Sequence, residues 1–321
     1  MKITLHFGAH RTASTTLQRV LGGSGTALKA QGIAYWGPKR TRSGLFEGVL
    51  SAPETEMPWV KRRPLRAAGR IALALEQAAL HGARQVLVSE ENMLGSMRKS
   101  LAQGVLYPDA EAKMARLAEA FGGQVDQIGV AIRSYDHYWA SVLANQMTRG
   151  GPLPEPDFID TLVSQTRRWR HLLGAFARHF PKAKIRVWSH EAMAARPDEI
   201  LAHLLDCDPR RLQGVRDWHN TGPSAGSLRA VMREMAAPSA MIDRAIDETA
   251  NRFMPFLPNQ RAKLRGDYLS DLAWLRDVAG AQFDYIDDLG HNAWTGRHEG
   301  LSDDQGPQEQ GRGEAGFARM A

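Results

Sequence analysis

Residues 8–18, GAHRTASTTLQ, gather a cation (Arg11), a small residue (Ala13) and four hydroxyls (Thr12, Ser14, Thr15 and Thr16) into one short stretch. That set suits a phosphate or sulfate ester, provided a strand feeds the turn and a helix leaves it. The first-turn N–H groups of a helix have no intrahelical partner, and the macrodipole puts partial positive charge where they point. The strand is predicted by ITLHF, in which Ile3, Leu5 and Phe7 alternate with Thr4 and His6, and the helix by Leu17, Val20 and Leu21. A polar turn that merely caps a helix needs one Ser or Thr. Four hydroxyls and an Arg exceed that requirement and favour an anion cradle.

The stretch departs from a Walker A loop in an instructive way. With Gly8 as the first glycine of G-x-x-x-x-G-K-[ST], Ala13 takes the second glycine, Ser14 the lysine and Thr15 the last position. The lysine that would reach the β- and γ-phosphates is missing, which disfavours ATP hydrolysis. Two further stretches end predicted strands in groups that could serve the same ligand. Residues 127–149, QIGVAIRSYDHYWASVLANQMTR, run from an apolar strand through Arg133 into a helix carrying Ser141. Ligands of doubly wound sheets sit outside the carboxyl ends of strands, so Arg133 is expected to point at one. Residues 85–95, QVLVSEENMLG, end a buried strand in Ser89, Glu90, Glu91 and Asn92. A carboxylate there is either a general base or the N-cap of a following helix.

Taken together, these stretches resemble the bacterial sulfotransferases that use 3′-phosphoadenosine 5′-phosphosulfate (PAPS). The family's phosphosulfate loop, Lys-[ST]-Gly-[ST]-[ST] after a strand, corresponds to Arg11, Thr12, Ala13, Ser14 and Thr15, with a frequent family His at His10. The resemblance implies that His10, Arg11, Thr12, Ala13, Ser14, Thr15 and Thr16 hold the 5′-phosphosulfate. It further implies that Arg133 and Ser141, eight residues apart, hold the 3′-phosphate. By position the family's carboxylate falls on Glu91, beside Glu90, as acceptor of the substrate proton, with Arg11 the second catalytic residue. Fainter similarity continues through KIRVWSHEAM (184–193), Asn220, Thr221, SAGSLRAV and DYLSDLAWL (267–275). Two departures stand out: Arg11 replaces Lys, and Ala13 replaces Gly, which carries strain if the position needs positive φ. The implied activity is sulfuryl transfer from PAPS to a hydroxyl or amine of a small-molecule, glycan or lipid acceptor, without a metal. The alternatives are a P-loop small-molecule kinase and a relative that binds the nucleotide without turnover.

The elements that must position these residues follow from the rest of the chain. Alternating strands and helices predict a three-layer α/β/α, P-loop-like fold with a central parallel sheet. IAYW (33–36) predicts a further strand. Helices are predicted over 65–82, 109–121, 135–149, 157–179 and 192–206. Residues 38–64, with four prolines, predict a long loop over the site, and GGPLPEPD (150–157) a rigid loop beside it. We divide the chain into an α/β domain (1–225), a helical C-terminal extension packed on it (226–290) and a polar, disordered tail (291–321).

Bulk properties bound the function. The 321 residues are 43% hydrophobic with a net charge of +6 and one cysteine, Cys207. No apolar run approaches the ~20 residues that span a bilayer, and MKITLHF is too short for a signal-peptide core. A single cysteine precludes an internal disulfide and fits a reducing cytoplasm; Cys207 reads as a half-buried thiol at a helix end. Basic clusters at KRTR (39–42), KRRPLR (61–66), TRRWRH (166–171) and PRR (209–211) lie on different elements without a nucleic-acid motif. They read as a solvated surface that attracts an anionic cofactor or acceptor. His6 and His10 sit on a strand and a loop, without metal-ligand spacing, so no metal is expected.

Overall fold

The computed structural model describes residues 1–50, 63–214, 222–277 and 279–286. Strands β1 (Lys2–Phe7), β2 (Ile33–Trp36), β3 (Gln85–Ser89), β4 (Gln127–Ile132), β5 (Lys184–Ser189) and β6 (Phe283–Ile286) form one sheet. Their order is β2-β3-β1-β4-β5-β6, and every adjacent pair is parallel. Strands buried on both faces of a parallel sheet must be apolar on both, which is why β3 reads Val86-Leu87-Val88 without alternation.

Helices cover both faces and make the fold three-layered. On one face Leu87, Ala131 and Trp188 pack with Leu17, Val20 and Leu21 of the Ser14–Gly23 helix and with Ile200, Leu201 and Leu204 of the Pro197–Leu204 helix. On the other, Phe7 meets Phe176 of the Trp169–His179 helix edge to face, with ring centres 4.6 Å apart. That helix packs on the Ala110–Ala120 helix, which packs in turn on the Arg63–Leu80 helix. After β3 the chain crosses to the far side of β1 to form β4. The order therefore reverses at β1, and the crevice at its carboxyl end is where a doubly wound sheet takes its ligand.

Three expectations need revision. The helix expected over 157–179 is two helices, Pro156–Ser164 and Trp169–His179. Tertiary hydrogen bonds claim the turn between them: the Trp169 N–H donates to the Tyr135 hydroxyl (2.6 Å) and the Trp169 indole N–H to the Arg133 carbonyl (2.8 Å). Likewise 192–206 divides into His190–Met193 and Pro197–Leu204, because a proline begins a helix more readily than it continues one. The segment expected to be a mostly helical extension, 226–290, also returns to the sheet as its edge strand β6. Its Pro258–Asp277 helix docks through Arg265, which donates to buried Asp136 at 2.8 Å.

The basic clusters are only partly a solvated surface. Arg168 and Arg170 pair with Asp267 and Asp271 of the Pro258–Asp277 helix, and Arg42 reaches the β3 carboxylates. Residues 51–62 of the expected loop, Asn220, Thr221 and the tail from 291 lie outside the described residues. Among the described residues no helix is long and apolar enough to cross a membrane.

Candidate functional site

Sheet register brings the singled-out residues to one edge. His6 stands beside Ser89, Phe7 beside Val130 and Ile132 beside Ser189, so β1, β3, β4 and β5 end together. Past those ends lie the 8–13 loop, Glu90 and Glu91, Arg133 and Ser134, and His190 and Glu191.

The loop itself is strained. Arg11 and Ala13 both have φ +64°, whereas Thr12 between them does not have positive φ. Alternation of this kind turns successive backbone N–H groups toward one concavity, a nest that accepts anions. Left-handed conformation costs a non-glycine residue roughly 1–2 kcal/mol, so neighbours must hold it. Arg133 does so by donating from Nη1 to the Arg11 carbonyl (2.8 Å), and His190 hydrogen-bonds the Thr12 backbone. Gly8 supplies room: a Cβ there would stand 2.9 Å from that of Ser14.

The hydroxyls do not cap the helix. Thr12 Oγ1 and Ser14 Oγ both donate to the Ala9 carbonyl, at 2.6 and 3.2 Å, while the helix opens at Ala13 with no side-chain cap. Thr12 and Ser14 thus knit the loop together, and first-turn N–H groups other than that of Thr16, which donates to the Ala13 carbonyl at 3.0 Å, can face an oxyanion. Thr16 is buried and Thr15 exposed.

A cationic cluster adjoins the loop. Arg11 Nε donates to Ser141 Oγ at 2.8 Å, joining in one contact the loop and the helix residue expected at opposite ends of a cofactor. Burial first, then Arg133 and Arg149, push the Arg11 guanidinium down from its ordinary value. Gly222 also approaches: a Cβ at that position would stand 3.6 Å from Arg11 Nη2. Arg11 pairs with no carboxylate among the described residues. The same half of the mouth holds His190 well below the usual imidazole range, through burial and the nearby Arg133.

The β3 half has the opposite sign. Glu90 is fully buried and accepts from Thr41 Oγ1 (2.7 Å), Arg42 Nε (3.0 Å), Arg42 Nη2 (2.7 Å) and the Asn92 N–H (2.9 Å). It caps the short turn after β3. Glu91 is more exposed and accepts from Arg42 Nη2 at 3.1 Å. Its Cα lies 3.7 Å from the space a Gly8 Cβ would fill, which puts its backbone against the loop. His10 sits between the halves. Its backbone N–H donates to the Tyr107 hydroxyl (2.7 Å), and its Nδ1 lies 3.1 Å from the same oxygen. A phenol that accepts the amide proton can give its own to Nδ1, which leaves the ring proton on Nε2. Burial pushes the His10 imidazole down, while Glu91 and Glu90 oppose the shift.

Sequence reasoning missed several of these groups. Arg42 lay inside a cluster read as surface; only its separation from buried Glu90, 48 residues on, hides the pairing. Tyr107 has φ +45° and is fully buried, in a stretch with no periodic signal. Glu191, noted in the sequence only as a Glu that ends a strand and begins a helix, fixes the start of the Tyr135–Met147 helix by accepting the Ser134 N–H at 2.9 Å, and also accepts from Tyr268 at 3.1 Å. Cys207 is half-buried, with a thiol pushed up by burial and by Asp208 and Asp206. Among the described residues no group of three or more His, Cys, Asp or Glu side chains could hold a metal. Comparison with protein-family models, curated proteins and solved structures returns no match.

Proposed function

We propose that this chain is a PAPS-dependent sulfotransferase of the reducing cytoplasm, transferring a sulfuryl group to a hydroxyl or amine of a small-molecule, glycan or lipid acceptor. One observation carries the reading: a nest and an uncapped helix N-terminus lie against Arg11, Arg133 and Ser141, a cationic cluster suited to an anion. A nucleotide with phosphate groups at both ends of its ribose supplies charge to both parts, so the residues fit PAPS. When bound, PAPS supplies an activated sulfuryl group on its 5′-phosphate.

The chain's residues divide the work. The N–H groups of the 8–14 loop other than that of His10, which Tyr107 takes, hold the phosphosulfate, and Thr12 and Ser14 keep that loop in shape. Arg133 and Ser141 hold the 3′-phosphate. Arg11 offsets charge that grows on the leaving oxygen, an electrostatic contribution to the transition state. Glu91 takes the acceptor proton on a carboxylate oxygen, and Arg42 fixes where that carboxylate stands. His10 offers its Nε2 proton to an oxyanion.

The test is transfer of radiolabelled sulfate from PAPS into an acceptor panel. Glu91→Gln should lower turnover by roughly 10²–10⁴-fold, the range a general base contributes, with nucleotide affinity retained. Equal turnover in Glu91→Gln would contradict the assignment. A second reading, nucleotide binding without turnover, is favoured by the Arg11–Ser141 bond, which turns Arg11 toward the 3′-phosphate residues. It predicts tight binding of adenosine 3′,5′-bisphosphate and transfer to no acceptor.

A further inference from the structure

Away from the strand mouth, two grooves of about 250 and 350 Å³ share Arg170 and His171 and form one furrow along the start of the Trp169–His179 helix. The furrow is cationic. Arg168 and Lys263 are paired with Asp267, Arg170 with Asp271, and Arg178 with Glu111. Arg167 is different. Its Nε and Nη2 are buried and have no hydrogen-bond partner among the described residues, and burial pushes its guanidinium down from its ordinary value.

Two buried, unbonded guanidinium nitrogens forfeit hydration without replacement, at a cost that a bound oxyanion would remove. The furrow surrounds Arg167 with more of the same charge. Its five cations, Arg167, Arg168, Arg170, Arg178 and Lys263, face three partner carboxylates, Asp267, Asp271 and Glu111. His171 adds a donor: its Nδ1 accepts the Arg168 N–H at 3.0 Å, which leaves the ring proton on Nε2 of an exposed side chain. Trp274 gives one wall an aromatic surface. An inorganic ion would fill only a fraction of this space.

We propose that this furrow is a second ligand site, which takes a phosphate monoester with its charged group on Arg167 and its organic part against Trp274. The guanidinium fork matches a tetrahedral oxyanion, and two negative charges match the excess of two cations over carboxylates. The site does not depend on the function proposed for the strand mouth, because none of its lining residues belongs to that mouth.

The full chain labelled with 5-fluorotryptophan gives a local readout, with the Trp274 fluorine resonance assigned by its loss in Trp274→Phe. Titration with 4-nitrophenyl phosphate should shift that resonance saturably. Arg167→Gln should raise the half-saturating concentration ten-fold or more, whereas Arg133→Ala should leave it unchanged. Arg167→Lys keeps the charge and loses the fork, and should fall between parent and Arg167→Gln. Inorganic phosphate should bind at least several-fold more weakly than the ester. An unmoved Trp274 resonance, or identical titrations in parent and Arg167→Gln, would overturn the site. Equal affinity for inorganic phosphate would overturn its assignment to an ester.

Discussion

The two halves of the strand mouth are built on opposite terms. On the β3 side, the buried charge is settled internally: Arg42 forks onto Glu90, touches Glu91, and Thr41 and the Asn92 N–H complete the Glu90 set. On the β1 and β4 side, Arg11 has Ser141 for a partner and other guanidiniums for neighbours, on a loop held in left-handed conformation. Folding alone explains the first arrangement. The second holds two non-glycine residues in left-handed conformation and sets guanidiniums beside one another, a pattern of strain and like charge expected where a ligand binds.

The largest expected effect tests what lies beneath both halves. His6 is buried under the mouth beside Ser89, and burial pushes its imidazole down to about 4. Because an unfolded His titrates near 6.5, its contribution is fully present above that pH and is lost as pH falls toward 4. The loss is at most about 3 kcal/mol. Denaturant titrations from pH 7 to 4 should show this slope, and His6→Gln should flatten it.

Next in size is the contrast between the halves. Arg42→Ala removes the cation from fully buried Glu90; since Arg42 itself is half exposed, the expected cost is about 2 kcal/mol, below that of a fully buried pair. Arg11→Ala should shift urea stability by less than about 1 kcal/mol, the net worth of one hydrogen bond, because it also relieves repulsion. Equal losses in the two variants would erase the contrast. Gly8→Ala forces a Cβ against Ser14 and should cost about 1–2 kcal/mol. Ala13→Gly relieves the left-handed residue and should stabilise by about 0.5–1 kcal/mol, read as a rise in Tm.

How far the sequence was legible depends on the range of the interactions. The strands β1, β3, β4 and β5 announce themselves through apolar runs, and a parallel sheet obliges their carboxyl ends to meet, so Arg11, Glu91 and Arg133 could be placed at one edge. The positive φ of Ala13 was foreshadowed by Ala standing at a glycine position, whereas that of Arg11 was not. What could not be read are contacts made across the fold. Arg42 finds Glu90, Tyr107 finds His10, and Tyr135 interrupts a helical pattern at Trp169. β6 escaped because FDYI is four residues long and follows a helix-rich segment. Arg167 escaped because its neighbours' pairing, rather than its own type, makes it distinctive.

Calorimetric titration of adenosine 3′,5′-bisphosphate, beside ADP and ATP–Mg²⁺, probes the proposed cofactor site itself when run on the parent and on Arg133→Ala. A PAPS site should bind the 3′-phosphorylated nucleotide tightly and the other two more weakly. Arg133→Ala should then lose about 2–3 kcal/mol of binding, as expected for charge-assisted hydrogen bonds. Preference for ATP, or equal affinity in parent and variant, would overturn the assignment.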